Sequence, residues 1–173
     1  MPAGNALIED IDNWSRGPEY LAFWWLGQAS IIVKLAGKII YIDPYLSPEA
    51  QRLTPPLLTP EQVTNADLVL CSHDHGDHID PGALPGIAAA SPQATFIVPQ
   101  TAVERVAFLG IPAQRIKGIN NTQTFNAGPL TVTAVKAKHE FFDQTSDENY
   151  PYLGYVICVE KTCLYHSGDT LTY

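Results

Sequence analysis

Apolar residues recur along this chain with two periods. From Ala3 to Trp14, the positions Leu7, Ile8, Ile11 and Trp14 fall at helical spacing, which predicts a short amphipathic helix ended by Arg16-Gly17-Pro18. The pattern then shortens. Tyr20–Leu26, Ser30–Leu35 and Lys38–Asp43 are rich in aromatic and β-branched residues and predict three strands. Gly27-Gln28 breaks the first from the second, and Ala36-Gly37 joins the second and third as a hairpin. Tyr45–Pro60, rich in Pro, Leu and Thr, reads as a long irregular loop, either lining a site or simply connecting. One helical turn is predicted within Thr59–Ala66, with Pro60 at its first position. The run Asp67-Leu68-Val69-Leu70-Cys71 is too short for a helix and predicts a buried strand.

The second half mixes both periods. Helices are predicted over Pro81–Ala90, despite Pro85 and Gly86, and over Thr101–Leu109, closed by Gly110. Strands are predicted at Ala94–Val98, Ile116–Ile119 and Leu130–Ala137, with a polar turn region at Asn120–Asn126. Tyr152–Glu160 and Thr162–His166 form a further hairpin. Strands at both ends with helices between them point to an α/β protein of layered sheets flanked by helices.

Composition narrows this picture. A length of 173 residues suits one domain, and 46% hydrophobic against 16% charged residues describes a globular chain. Ten basic against 18 acidic residues give a net charge of -8, which argues against a nucleic-acid surface. Part of that negative charge is explained if several acids face bound cations. There is no basic-then-apolar leader and no membrane-length apolar run, so a cytoplasmic setting without membrane contact is expected. Cys71, Cys158 and Cys163 make no CxxC pair. Cys158 and Cys163 sit across a predicted hairpin, but packing as free thiols is the expected role.

Candidate chemistry concentrates in one stretch, Cys71-Ser72-His73-Asp74-His75-Gly76-Asp77-His78-Ile79-Asp80. It follows directly on a predicted strand, and Gly76 lets the loop turn tightly. Its imidazoles and carboxylates suit zinc, manganese or iron. His73 and His75 are close enough for one ion, and Asp77 with His78 for a second beside it. A solvated polar turn is the plain alternative, yet three of the chain's five histidines lie in this window. Three other acids and histidines also stand at strand ends. Asp43 closes Ile39-Ile40-Tyr41-Ile42, as a turn cap or as support for a nearby ligand. His139 follows Val135-Lys136-Ala137-Lys138, and Asp169 follows His166-Ser167-Gly168. Singly, each is ordinary in a turn or on a surface; together they place all five histidines in three strand-end motifs.

Trp24-Trp25-Leu26-Gly27-Gln28, Tyr41-Ile42-Asp43-Pro44, His73-Asp74-His75-Gly76-Asp77-His78, His139 and His166-Ser167-Gly168-Asp169-Thr170 together resemble the metallo-β-lactamase-fold hydrolases. The Trp-Trp-Leu-Gly start, the His73–Asp80 loop and the Leu164–Asp169 block look most like the L-ascorbate-6-phosphate lactonase branch. The resemblance implies an αββα sandwich with metals at one edge of two sheets. It implies that His73, His75 and His139 hold a first divalent ion, zinc or manganese, that Asp77 and His78 hold a second, and that Asp169 bridges them. Asp43 and His166 would stand behind these ligands, and Asp77 or Asp169 would orient the nucleophile. It also implies one more histidine well after Asp169. The sequence stops at Tyr173 without one, so a single domain lacking its C-terminal part is expected, with residues 1–18 as a helical extension. Metal-assisted hydrolysis of a lactone, ester or phosphoester follows, a metal-bound hydroxide acting on a small and preferably anionic substrate such as a sugar phosphate. Arg52, Lys136 and Lys138 are the candidate cations for it. A homo-oligomer is the expected assembly where apolar faces stay uncovered. A phosphodiesterase or nuclease on the same fold, and a non-catalytic metal-binding module, are the rival readings.

Overall fold

A computed structural model of the protein describes residues 2–173. Helix α1 spans Asn5–Asn13 and leads into β1 (Leu21–Gly27), β2 (Ser30–Leu35) and β3 (Lys38–Ile42), an antiparallel run. A long loop then reaches β4 (Leu68–Leu70). Helix α2 (Leu84–Ala90), β5 (Thr95–Pro99), helix α3 (Val103–Phe108) and β6 (Ile116–Ile119) follow. Strands β3 to β6 are parallel neighbours, so one six-stranded sheet runs in simple order from β1 to β6. A second, antiparallel sheet holds β7 (Thr124–Ala127), β8 (Leu130–Lys136), β9 (Leu153–Val159) and β10 (Thr162–His166).

Alternation along the strands of the first sheet feeds two separate cores. Ile32, Tyr41, Val69 and Phe96 face the helices and pack with Leu7, Ile8 and Ile11 of α1 and with Ile87 and Val106. Val33, Ile40, Ile42, Leu70 and Ile97 face the other way and meet Leu130, Val132, Tyr155 and Ile157 of the second sheet. Central strands buried on both faces must be apolar throughout, which is why Ile39–Ile42 and Leu68–Cys71 read as unbroken runs. Helix α1 is tied down by polar contacts as well. Trp24 Nε1 donates to Asp10 Oδ2 at 2.8 Å, and Lys34 Nζ donates to the carbonyls of Ile11 and Asp12 at the helix end. All three α-helices pack in the core outside the six-stranded sheet.

Three sequence expectations need correction. The polar stretch Asn120–Asn126, expected as a turn, carries the start of β7: Thr124 and Asn126 point to solvent while Phe125 and Ala127 pack inward. An edge strand with small polar outer residues loses the apolar alternation that marks a strand. Helix α2 begins at Leu84, not Pro81, because the Asp80 carboxylate holds the amides of Gly82 and Ala83 in a turn ahead of it. Cys158 and Cys163, expected as packed thiols, form a disulfide; the β9–β10 register sets them directly opposite each other. Cys71 is a buried free thiol.

The fold also rests on one guanidinium. Arg115 donates to the carbonyls of Ala88, Ser91 and Ala94, so it caps the end of α2 and pins the segment entering β5. Replacing it leaves three acceptors without their donor. Arg115→Met is therefore expected to cost about 2–3 kcal/mol of stability, read as a lower urea midpoint at unchanged slope; an unchanged midpoint would show that water satisfies these carbonyls equally well.

Candidate metal centre

The C-terminal ends of β3 and β4 lie side by side, and each delivers part of the centre. After Ile42 the chain turns at Asp43, whose φ of 46° is left-handed, a conformation that Asp and Asn tolerate better than most side chains. The Asp43 carboxylate is fully buried. It accepts from the Ser72 amide at 2.7 Å, the Ser72 hydroxyl at 2.8 Å and His78 Nδ1 at 2.9 Å. Ser72 Oγ also lies 2.9 Å from His73 Nδ1 and 3.1 Å from His78 Nδ1. Its single proton goes to Asp43, so His73 donates to it from Nδ1, while His78 gives its own Nδ1 proton to Asp43. The network thus assigns the tautomer that leaves the Nε2 lone pairs of His73 and His78 facing outward.

The second sheet closes the other side. The Leu153 amide donates to the Ser72 carbonyl, and Tyr155 Oη donates to the Cys71 carbonyl at 2.7 Å. Beyond β8 and β10 the two chain segments pair. The Lys138 amide donates to Thr170 Oγ1, and the Leu171 amide to the Lys138 carbonyl. That pairing brings His139 and Asp169 to the same edge. Gly168 is required there: its φ is 57°, and a Cβ would come within 2.9 Å of Ser72 Cβ.

Two groups of three donors result. Nitrogens of His73, His75 and His139 lie within 4.8 Å of one another, and so do donor atoms of His73, His78 and Asp169. Asp169 Oδ2 stands 3.4 Å from His78 Nε2 and 3.9 Å from Nε2 of both His73 and His139. Such convergence of imidazole and carboxylate suits a divalent transition ion. Tyr152 stacks on the His139 ring at 4.8 Å and fixes its plane. Asp77 stands at the rim, 41% exposed, with Oδ2 at 3.7 Å from His78 Nε2. His166 faces away: Nε2 donates to the Ala29 carbonyl, and Nδ1 accepts from the Gly168 amide and lies 4.0 Å from Asp43.

A family model described as Beta-lactamase superfamily domain matches residues 38–173. The chain belongs to that superfamily. It is 28% identical, over 98% of its own length and 51% of the relative's, to N-acyl-phosphatidylethanolamine-hydrolyzing phospholipase D 1 of Caenorhabditis elegans. It is 32% identical, over 85% of its length and 51% of the relative's, to a UPF0173 metal-dependent hydrolase of Myxococcus xanthus. Among solved structures it resembles Igni18, a metallo hydrolase from Ignicoccus hospitalis, with a TM-score of 0.64 at 24% identity over 89% of this chain and 63% of that one. The architecture is thus the mixed α/β metallo-β-lactamase fold. The chain spans about half the length of the two curated relatives named here.

In this superfamily member the metal-loop residues divide by direction. His73, His75 and His78 converge, whereas Asp74 turns outward to Arg105 at 2.7 Å. Asp80 points inward but away from the donors. Its carboxylate accepts from the amides of Leu46, Ser47, Gly82 and Ala83 and from the Ser47 hydroxyl, tying the loop after β3 to the metal loop. Sequence reasoning assigned no role to Ser72, Asp80 or Tyr152. Asp80 before Pro81-Gly82 carries a turn-initiating signal that marks it; Ser72 and Tyr152 carry none.

The electrostatics follow from this packing. Burial, and then the neighbouring rings of His78, His75 and His139, push the His73 pKa down to about 3, so the ring stays neutral. A ligating imidazole must be neutral. Burial also works to lower His78, but the hydrogen bond and charge of Asp43, with Asp169 and Asp77, outweigh it and hold His78 above 6.5. Two predictions arise. The first concerns the metal-free protein. The contribution of His73 is whole above 6.5 and is lost as pH falls toward about 3. That of His78 is present below 6.5 and is lost as pH rises through its raised value. Melting temperature should therefore peak close to neutrality and drop most steeply on the acid side; a flat profile from neutral to acid pH would contradict the buried neutral His73. The second concerns Asp43→Asn, which keeps the left-handed turn but weakens the orienting contacts. Metal affinity should fall on the order of 10–100-fold, measured by chelator competition, with the fold of the metal-free protein retained by circular dichroism; equal affinity would make Asp43 a turn residue only.

Proposed function

We propose that this chain carries the metal-binding and nucleophile-orienting residues of a metal-dependent hydrolase. The observation behind the reading is the position of Asp169 Oδ2, 3.4–3.9 Å from the Nε2 atoms of His78, His73 and His139. In this reading His73, His75 and His139 would hold one ion, Asp77 and His78 would hold a second, and Asp169 would serve both. A divalent ion held there, zinc or manganese, would supply Lewis-acid polarisation and lower the pKa of water toward neutrality. The chain's own residues do the rest. Ser72 and Asp43 keep His73 and His78 in the ligating tautomer, and Tyr152 holds the His139 ring. The half-exposed carboxylates of Asp169 and Asp77 orient the nucleophile and accept its proton.

The substrate we favour is a lactone or ester, by the resemblance of Trp24–Gly27 and Leu164–Asp169 to the ascorbate-phosphate lactonase branch. A phosphodiester is the second reading, favoured by similarity along nearly the whole chain to a relative named for hydrolysing a phospholipid. The test separates binding from turnover. Elemental analysis should find a divalent ion in the purified protein and little in His75→Ala; undiminished metal in that variant removes His75 from the ligand set. The loaded protein is then given nitrophenyl esters, simple lactones and bis-nitrophenyl phosphate. Faster cleavage of esters and lactones supports the first substrate, and cleavage of the phosphodiester alone supports the second. Bound metal with no turnover would leave a binding module.

A further inference from the structure

Beside the metal loop opens a cavity of about 700 Å³, lined by Gly76 and Asp77 on one wall and by Gln28, Tyr45, Gln51 and Arg52 on another. Arg52 is its one basic residue, and it is held in place from several sides. The guanidinium lies over the Tyr45 ring at 4.7 Å. Nη1 donates to the Tyr45 carbonyl at 3.1 Å and Nε to the Thr54 carbonyl at 3.3 Å. Nη2 remains. It lies beside Gly27, 3.6 Å from where a Cβ on that residue would sit, so no side chain there covers it; Gly27 lines an adjoining hollow that shares Gln28, Gln51 and Arg52 with the cavity. Among the described residues no carboxylate comes within ion-pair distance of Arg52. The acids that share the cavity are engaged or distant: Asp80 is spent on amides and the Ser47 hydroxyl, Asp77 faces His78, and Glu49 accepts from the Ala50 amide. Lys136, the alternative cation, lies over the rings of Phe142 and Tyr150 and does not line the cavity.

A half-buried guanidinium with fixed orientation, an unspent donor and no acidic partner is suited to an oxyanion supplied from outside. We infer that Arg52 is a specificity-determining residue that anchors a carboxylate or phosphate group of the substrate in this cavity while the bond to be broken lies toward Asp77. The inference rests on the hydrolase reading for its substrate but not for its binding test. An anion held this way gains one or two charge-assisted hydrogen bonds, and a neutral substrate of the same shape gains none.

The experiment compares three nitrophenyl esters of similar acyl length on the metal-loaded chain: the neutral valerate, the hemiglutarate and the phosphonopropionate. With Arg52→Gln, kcat/KM should fall on the order of 10–100-fold for the anionic ester that the wild type prefers. The neutral ester and the metal content should not change, and Arg52→Lys should recover part of the loss. The better of the carboxylate and phosphonate arms names the oxyanion. Equal losses on neutral and anionic esters would reduce Arg52 to a loop-holding role, and no loss on either would remove it from the site. If the wild type cleaves none of the three, the ester reading fails by itself. Calorimetric binding of glutarate and phenylphosphonate then decides: affinity about tenfold weaker in Arg52→Gln sustains the anchor, and equal affinity overturns it.

Discussion

A carboxylate with no solvent contact holds this architecture to its chemistry. Asp43 sits in the interior at the end of β3, where an isolated charge would be expensive, and it is kept there by two donors of Ser72 and one of His78. Those donors lie just beyond β4, the parallel neighbour of β3. The same three contacts therefore satisfy the buried charge, hold two strand ends in register and set the tautomers of two histidines. Ser72 is the joint, since its hydroxyl can give only one proton and gives it to Asp43.

From that joint the centre is assembled across two sheets. The backbone of Ser72 accepts from Leu153 of the second sheet, and Gly168 packs against its side chain. His139 and Asp169 arrive from strands that run side by side with β9 between them. Their segments lock through Lys138, Thr170 and Leu171. The loop after β3 is drawn to the same edge by Asp80. It forms the cavity wall that carries Tyr45 and Arg52. A candidate metal site, the exposed carboxylates at its rim and an open cavity thus share one edge, where strand ends leave backbone free to turn.

Much of this was legible in the residues. The central loop announced itself through residue type and spacing, because imidazoles only a few positions apart on a tight turn are held within a few ångströms of one another by the loop itself. The strands were legible where burial on one or both faces imposed an apolar pattern. The pattern failed at β7, whose outer positions are Thr and Asn, and at the start of α2, where a side chain and not the backbone period decides the boundary.

What the sequence by itself determined is local: the metal loop, the buried strands that lead into it, and the presence of acids and histidines at other strand ends. What only the tertiary structure decided is which of these meet. His139 and Asp169 join the loop, while His166 and Asp74 turn away. Ser72 becomes a hub, Cys158 and Cys163 bond, and Arg52 ends above Tyr45 beside the cavity. The reason is physical. A short loop constrains its own side chains through bond geometry, but residues tens of positions apart are brought within hydrogen-bonding distance only by sheet register and by the packing of one sheet on the other. Neither quantity is written in any single stretch of the chain.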